Sequence, residues 1–226
     1  MSDANQILGR IREALQVPAL VPGHHDDHAP ARSYESKEFS RWLPAVGEDL
    51  AAQLAMFAKN SAELKTEFEL LGSPAEVSAA LVKLAREGGW KRVATHAGEL
   101  TDAHVPALEL PVVKTDAGYD VAAMERCDAG ISECDALVAQ TGSILITSRS
   151  AGGRALSVLP PHHVVLVRRT QMVPDLAAAY AVVRRKYGNQ FPSLISFITG
   201  PSRTGDIERI LVLGAHGPKR LTVLCG

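Results

Sequence analysis

Apolar positions along this chain recur in two alternating rhythms. At the start, Ile7, Leu8, Ile11, Ala14 and Leu15 share one face of a short amphipathic helix over Asn5 to Gln16. Val17 to Ser40 breaks the rhythm with three prolines, a glycine and His24-His25-Asp26-Asp27-His28, and reads as a linker. Leu50, Leu54 and Phe57 then space a helix over Val46 to Asn60. Leu64, Thr66, Phe68 and Leu70 alternate as a strand within Leu64 to Leu71. Ser73-Pro74-Ala75-Glu76 supplies an N-cap serine, a proline at the first helical position and a glutamate that completes a capping box. That helix runs to Arg86 and stops at Gly88-Gly89, and short strands follow over Lys91 to Thr95 and Leu110 to Val113.

In the second half, Ala136 to Ser143 leads into the apolar Ile144 to Thr147. The loop Ser148 to Arg154 and a second apolar segment, Ala155 to Leu159, come next. Two such segments around Gly152-Gly153 predict a hairpin, closed by Pro160-Pro161. His163 to Arg168 reads as a buried strand, and Val173-Pro174-Asp175 opens a helix to Tyr187. Ser196 to Thr199 and Leu221 to Leu224 close the sheet. Strands alternating with helices predict a largely parallel sheet covered on both faces, with functional loops at the strands' carboxyl ends. The chain divides into a leading helix and linker over 1–40 and an α/β domain over 41–226.

Composition narrows the function. A chain of 226 residues, 46% hydrophobic, builds one substantial domain. A formal net charge of −1 excludes a general nucleic-acid binder. The apolar runs are too short to span a membrane, and Met1 to Arg10 has no leader-like apolar core, so a cytoplasmic location is expected. Cys127, Cys134 and Cys225 form no Cys-x-x-Cys pair, so neither an iron–sulfur cluster nor a structural zinc is expected in this chain, and no cofactor. Adjacent ligands in a linker rarely make a defined metal site, which leaves His24 to His28 solvated. Neither a dinucleotide fingerprint nor a phosphate loop is present.

The candidate chemistry lies in three polar turns. Phe197 to Pro218 runs apolar, turns at Gly200-Pro201, offers Ser202-Arg203-Thr204 and continues with Ile207, Ile210 and Leu211 at helical spacing to about Gly214. A strand and tight turn opening a helix forms an anion site. Ser202 or Thr204 would cap that helix and leave Arg203 to fork onto a carboxylate or phosphate. Asp206 and Glu208 compete with an anion there, so a capped helix without ligand is the alternative. The other turns are Gln140-Thr141-Gly142-Ser143 and Arg149 to Arg154. Together, Gln140, Thr141, Gly142, Ser143, Arg154, Ser202, Arg203, Thr204 and His216 are the candidate residues for a small anionic ligand. His162, His163 and His216 are acid–base candidates, although His162-His163 also suits a strand start. Glu133 and Asp135 are candidate partners of Arg149 or Arg154, or simple strand-end charges.

Gln140-Thr141-Gly142-Ser143, the run from Gly153-Arg154 through Leu159-Pro160-Pro161-His162-His163, and Gly200-Pro201-Ser202-Arg203-Thr204-Gly205-Asp206-Ile207-Glu208 with Leu213-Gly214-Ala215-His216-Gly217-Pro218 resemble lactate utilization protein C. That family is the stand-alone form of the LUD domain, and the resemblance runs from about Phe39 to Gly226. It implies a three-layer α/β/α open sheet of the sugar-phosphate isomerase and CoA-transferase type. It also implies a part in bacterial oxidation of L-lactate to pyruvate beside iron–sulfur partner proteins. The family commonly has glutamate where this chain has Gln140. A glutamine amide cannot be the acyl-accepting nucleophile of CoA-transferases, so the change favours binding over covalent catalysis. A free-standing isomerase or transferase acting on a phosphorylated or CoA-linked substrate is the competing reading, and self-association stays open.

Overall fold

The computed structural model describes residues 43–116, 118–204, 212–213 and 216–226, with Ile7, Gly9, Arg10, Arg12 and Glu13 in the leading segment. Those five are helical and exposed, as the leading periodicity predicts. The linker over Val17 to Ser40 lies outside the described residues.

Local chemistry sets the first elements of the domain. Asp49 caps α1 (Leu50–Glu63), its carboxylate accepting the Ala52 N–H at 2.7 Å. Lys65 then takes a φ of 65°, so β1 (Glu67–Leu70) starts later than Leu64. The predicted capping box opens α2 (Pro74–Gly88). Ser73 Oγ accepts the Glu76 N–H at 3.3 Å, while the Gly72 N–H donates to the Glu76 carboxylate at 2.8 Å. Gly89, with a φ of 61°, ends the helix. There follow β2 (Val93–Thr95), α3 (Glu99–His104), a 3-10 turn (Val105–Leu108), β3 (Val112–Lys114), α4 (Val121–Glu125), β4 (Ala129–Glu133), β5 (Ala136–Val138) and β6 (Ser143–Thr147). The chain continues through β7 (His162–Val167), a 3-10 turn (Arg169–Gln171), β8 (Met172–Val173), α5 (Leu176–Tyr187), β9 (Ile195–Ile198), β10 (Arg203–Thr204), β11 (Val212–Leu213) and β12 (Arg220–Cys225).

The central sheet has six strands in the order β1-β12-β7-β4-β2-β3, every neighbouring pair parallel. Where both faces are covered, the sequence is an unbroken apolar run, as over Val164 to Val167. On one face, Val77, Leu81 and Leu84 of α2 pack with Ile131, Val164, Leu166 and Leu224. On the other, Leu54 and Phe57 of α1 join Leu137, Ile144 and Ile146 against Val165, Val167 and Val223. Those last side chains bring a second sheet of four strands, ordered β8-β5-β6-β9. Ala179, Val183 and Tyr187 of α5 cover Ala136, Val138 and Leu145 on its outer side. The result is a mixed α/β protein with a mostly parallel central sheet between covering layers, the α/β/α arrangement expected.

Three local readings are corrected. The hairpin forms between β5 and β6 around Gln140 to Gly142, because Ala155 to Leu159 makes turns rather than a strand. Ile195–Ile198 closes the second sheet on β6 instead of joining the central one. Finally, Arg203 and Thr204 are a strand paired antiparallel with Val212 and Leu213. Ser202 and Thr204 therefore do not cap a helix that runs to Gly214. Ile207, Ile210 and Leu211 lie outside the described residues.

Candidate functional site

A cavity of about 290 Å³ lies where β6 and β9 meet the amino-terminal ends of β7 and β12. Three chain segments carry side chains to it, and two glycines make the approach possible. A Cβ on Gly130 of β4 would sit 2.4 Å from the Leu156 carbonyl oxygen, so only glycine lets the Arg154–Val158 segment cross there. That segment delivers Arg154, Ser157 and Val158. Gly200 has a φ of 101°, and a Cβ on it would lie 2.7 Å from the Leu64 carbonyl oxygen. The turn it permits delivers Ser202, whose N–H donates to the Pro218 carbonyl at 2.9 Å and ties this segment to His216, Gly217 and Pro218.

The most buried polar group of the cavity lining is His163, 1% exposed. Its Nε2 lies 2.8 Å from Ser132 Oγ, while its Nδ1 is buried with no hydrogen-bond partner among the described residues. Burial, with a smaller contribution from His162, pushes its pKa down to about 3, so the ring is neutral. Ser132 Oγ has no other partner among the described residues. Donation from that hydroxyl to Nε2 would satisfy both atoms and leave the ring proton on Nδ1. The cavity lining thus combines the neutral His163 ring with Ile146, Ile198 and Leu221, and with Arg154, Ser157, Ser196, Ser202 and the exposed His216. Arg154 commits one N–H to the Ser193 carbonyl at 2.7 Å and keeps others for a ligand. An apolar enclosure with a few converging donors suits a small organic anion.

Residues 54–225 match the LUD domain family. The chain belongs to it. Lactate utilization protein C of Geobacillus kaustophilus (strain HTA426) is 38% identical over 103 residues, 45% of this chain and 43% of that protein. Its counterpart in Anoxybacillus flavithermus (strain DSM 21510 / WK1) is 36% identical over 105 residues, 46% of each. The chain therefore spans less than half the length of these relatives. The uncharacterized protein YkgG of Escherichia coli (strain K12) is 27% identical over 99% of this chain and 98% of its own length. The crystal structure of a DUF162 family protein from Deinococcus radiodurans superposes with a TM-score of 0.63 at 25% identity, covering 79% of this chain and 99% of that one.

In this LUD domain, Arg154, Ser202 and His216 meet at the cavity and the other candidates lie elsewhere. Gln140 to Gly142 turn against α1, where Asn60 Nδ2 donates to the Ala139 and Gln140 carbonyls at 2.9 and 3.0 Å. The Gln140 amide donates to the Pro44 carbonyl at 2.8 Å, and Thr141 Oγ1 is buried without a partner among the described residues. Ser143 Oγ bonds Thr199 Oγ1 at 2.8 Å. Arg203 is exposed and donates to the Leu64 carbonyl, and Thr204 belongs to β10.

The acidic candidates choose other partners than Arg149 and Arg154. Glu133 accepts the Leu100 and Thr101 N–H groups at 2.7 and 3.2 Å, neutralising the start of α3. Asp135 accepts from Lys186 Nζ at 2.5 Å and Tyr187 OH at 2.8 Å, while Arg149 sits over the Tyr187 ring at 5.6 Å. Strand alternation was the signal that singles out His163. Neighbours in β7 face opposite ways, so His162 stacks edge-on to Trp90 at 5.3 Å while His163 reaches the cavity.

Proposed function

We propose that this LUD-domain chain serves lactate utilization by binding a small 2-hydroxy or 2-oxo acid, lactate or pyruvate, in the amino-end cavity. The relatives named lactate utilization protein C support the setting. The observation that carries the binding step is His163, an enclosed imidazole whose Nδ1 has no partner among the described residues, in the same cavity as Arg154. A guanidinium fork fits the ligand carboxylate, and a neutral N–H fits the adjacent hydroxyl or carbonyl oxygen. In this reading the chain is a cytoplasmic, cluster-free component that works beside iron–sulfur partner proteins, which carry the electrons. His216, exposed beside the cavity, favours one second reading, a free-standing isomerase or transferase with an imidazole acid–base group.

Isothermal titration of the purified chain with L-lactate, pyruvate, a sugar phosphate and CoA distinguishes these readings. Saturable binding of lactate or pyruvate is expected, weakened tenfold or more in Arg154→Gln by loss of a charge-assisted hydrogen bond. Binding of only the sugar phosphate or CoA would move the assignment to the enzyme reading. Lactate and pyruvate that fail to bind, or bind equally to Arg154→Gln, would contradict the proposal.

A further inference from the structure

A second cavity, of about 370 Å³, opens at the other end of the central sheet, outside the carboxyl ends of β1, β7 and β12. There β1 continues through Gly72 into α2, whose Val77 and Leu81 pack on the face of Leu166 and Leu224. The chain leaving β7 passes through Arg169–Gln171 to Met172, which packs on the opposite face with Val165, Val167 and Cys225. Only β12 separates these two strands. Connections that diverge to opposite faces open a crevice at the strand ends, and open α/β sheets bind ligands in such crevices.

The side chains there have a definite chemistry. Val77, Leu100, Leu166 and Leu224 make apolar walls. His104 is 5% exposed, its Nδ1 lies 2.8 Å from Ser78 Oγ, and its Nε2 has no hydrogen-bond partner among the described residues. Burial lowers its pKa, which keeps the ring neutral. Arg168 pairs with Glu99 at 2.5 Å, but that carboxylate is 82% exposed, so solvent screens the pair. A carboxylate arriving from the cavity would meet the same guanidinium in drier surroundings and hold it more strongly. Arg169 already donates to the Leu71 carbonyl at 2.5 Å. The Arg168 and Arg169 charges, less that of Glu99, leave one positive charge beside the apolar walls, which fits a monoanion with an apolar chain better than a dianionic phosphate.

We propose that this crevice is a second ligand site, separate from the amino-end cavity, for a small monocarboxylate with an apolar chain. Arg168 takes the carboxylate, Glu99 competes for Arg168 when the site is empty, and His104 Nε2 bonds to the ligand.

The test is an NMR titration of the 15N-labelled full chain with butanoate, hexanoate and octanoate, and with inorganic phosphate as a control anion. Saturable shifts are expected around Ser73 to Val77, Leu100 to His104 and Leu166 to Thr170, with affinity rising about fourfold per added methylene. Arg168→Gln should weaken binding tenfold or more. Glu99→Gln should strengthen it several-fold, a gain that misfolding cannot imitate. Arg154→Gln, in the other cavity, should leave these shifts unchanged. The proposal is overturned by an absence of saturable shifts here, by affinity independent of chain length, or by phosphate binding as well as octanoate. Affinity unmoved by both Arg168→Gln and Glu99→Gln, or shifts confined to Ser196 to Ser202, would overturn it equally.

Discussion

The two ends of the central sheet solve the problem of enclosing a cavity in opposite ways. At the amino ends of β7 and β12, a polar imidazole, His163, is sunk among aliphatic side chains, and the segments over it depend on Gly130 and Gly200 for close approach. At the carboxyl ends the imidazole of His104 is tied to Ser78 Oγ, the other walls are aliphatic, and the charges stand at the mouth, Arg168 paired with an exposed Glu99. A buried polar atom without a partner costs free energy, so in the proposed reading the first cavity favours an occupant that is itself polar. The second gains by removing apolar surface from water and asks for a single charge contact. In both proposals, the placement of the polar group within the cavity decides the kind of ligand that fits.

The largest effect that sharpens this contrast is expected in packing. Leu166, fully buried, forms part of the carboxyl-end wall, and Leu166→Ala should cost about 2–5 kcal/mol in urea denaturation. Val158, 47% exposed, lines the amino-end cavity, and Val158→Ala should cost less than about 1 kcal/mol. Equal losses would mean that the two walls are not built differently.

Acid sensitivity comes next. Burial holds His162 down to about 4 and His163 to about 3, from an ordinary value of 6.5. The unfolded chain then binds protons that the folded chain refuses. Stability should fall as pH drops below about 6.5, by at most ~1.4 kcal/mol per pH unit for each histidine, until the folded pKa values are reached. His163→Asn should remove one histidine's share of that slope between pH 6 and 4, measured by denaturation at several pH values. An unchanged slope would show that His163 is not held neutral.

The smallest effect belongs to the surface ion pair at the amino end. Arg220 grips the Glu67 carboxylate at 2.9 and 3.0 Å, and Thr222 Oγ1 donates to it at 2.7 Å. Burial opposes the charge on Glu67, but the hydrogen bonds from Thr222 and Arg220 outweigh it and hold its pKa below the ordinary value. Both partners are about half exposed, so Arg220→Ala should cost less than about 1 kcal/mol. Thr222 Oγ1 also lies 2.8 Å from His162 Nε2, and a larger loss would place this Glu67–Thr222–His162 chain among the supports of the amino-end cavity.

Much of the scaffold is readable from local chemistry alone. Ser73-Pro74 with Glu76, and Asp175 ahead of Leu176, announce helix starts because the stabilising groups lie within three residues of each other. Val164 to Val167 announces a buried parallel strand because both its faces are covered. What escaped depends on distant partners. β4 carries Gly130, which breaks an apolar run and makes sense only once Leu156 crosses it. Ile195–Ile198 reads as a strand, but its place beside β6 rather than in the central sheet is a tertiary choice.

The same holds for the candidate site. Arg154, Ser202 and His216 were singled out by residue type, and the fold brings them together. Arg203 has the residue type of an anion ligand, yet its strand pairing sends the guanidinium to the Leu64 carbonyl. Arg168 and His104 belong to unremarkable local sequence, and only the divergence of β1 and β7 gives them a shared cavity.

The most direct test of the central claim is a histidine side-chain 15N spectrum of the full chain, recorded near neutral pH with and without pyruvate. The expected result is a neutral His163 with its proton on Nδ1, and a selective shift of that Nδ1 resonance as pyruvate saturates the chain. A His163 that is protonated, that carries its proton on Nε2, or that is unmoved by pyruvate would contradict the account.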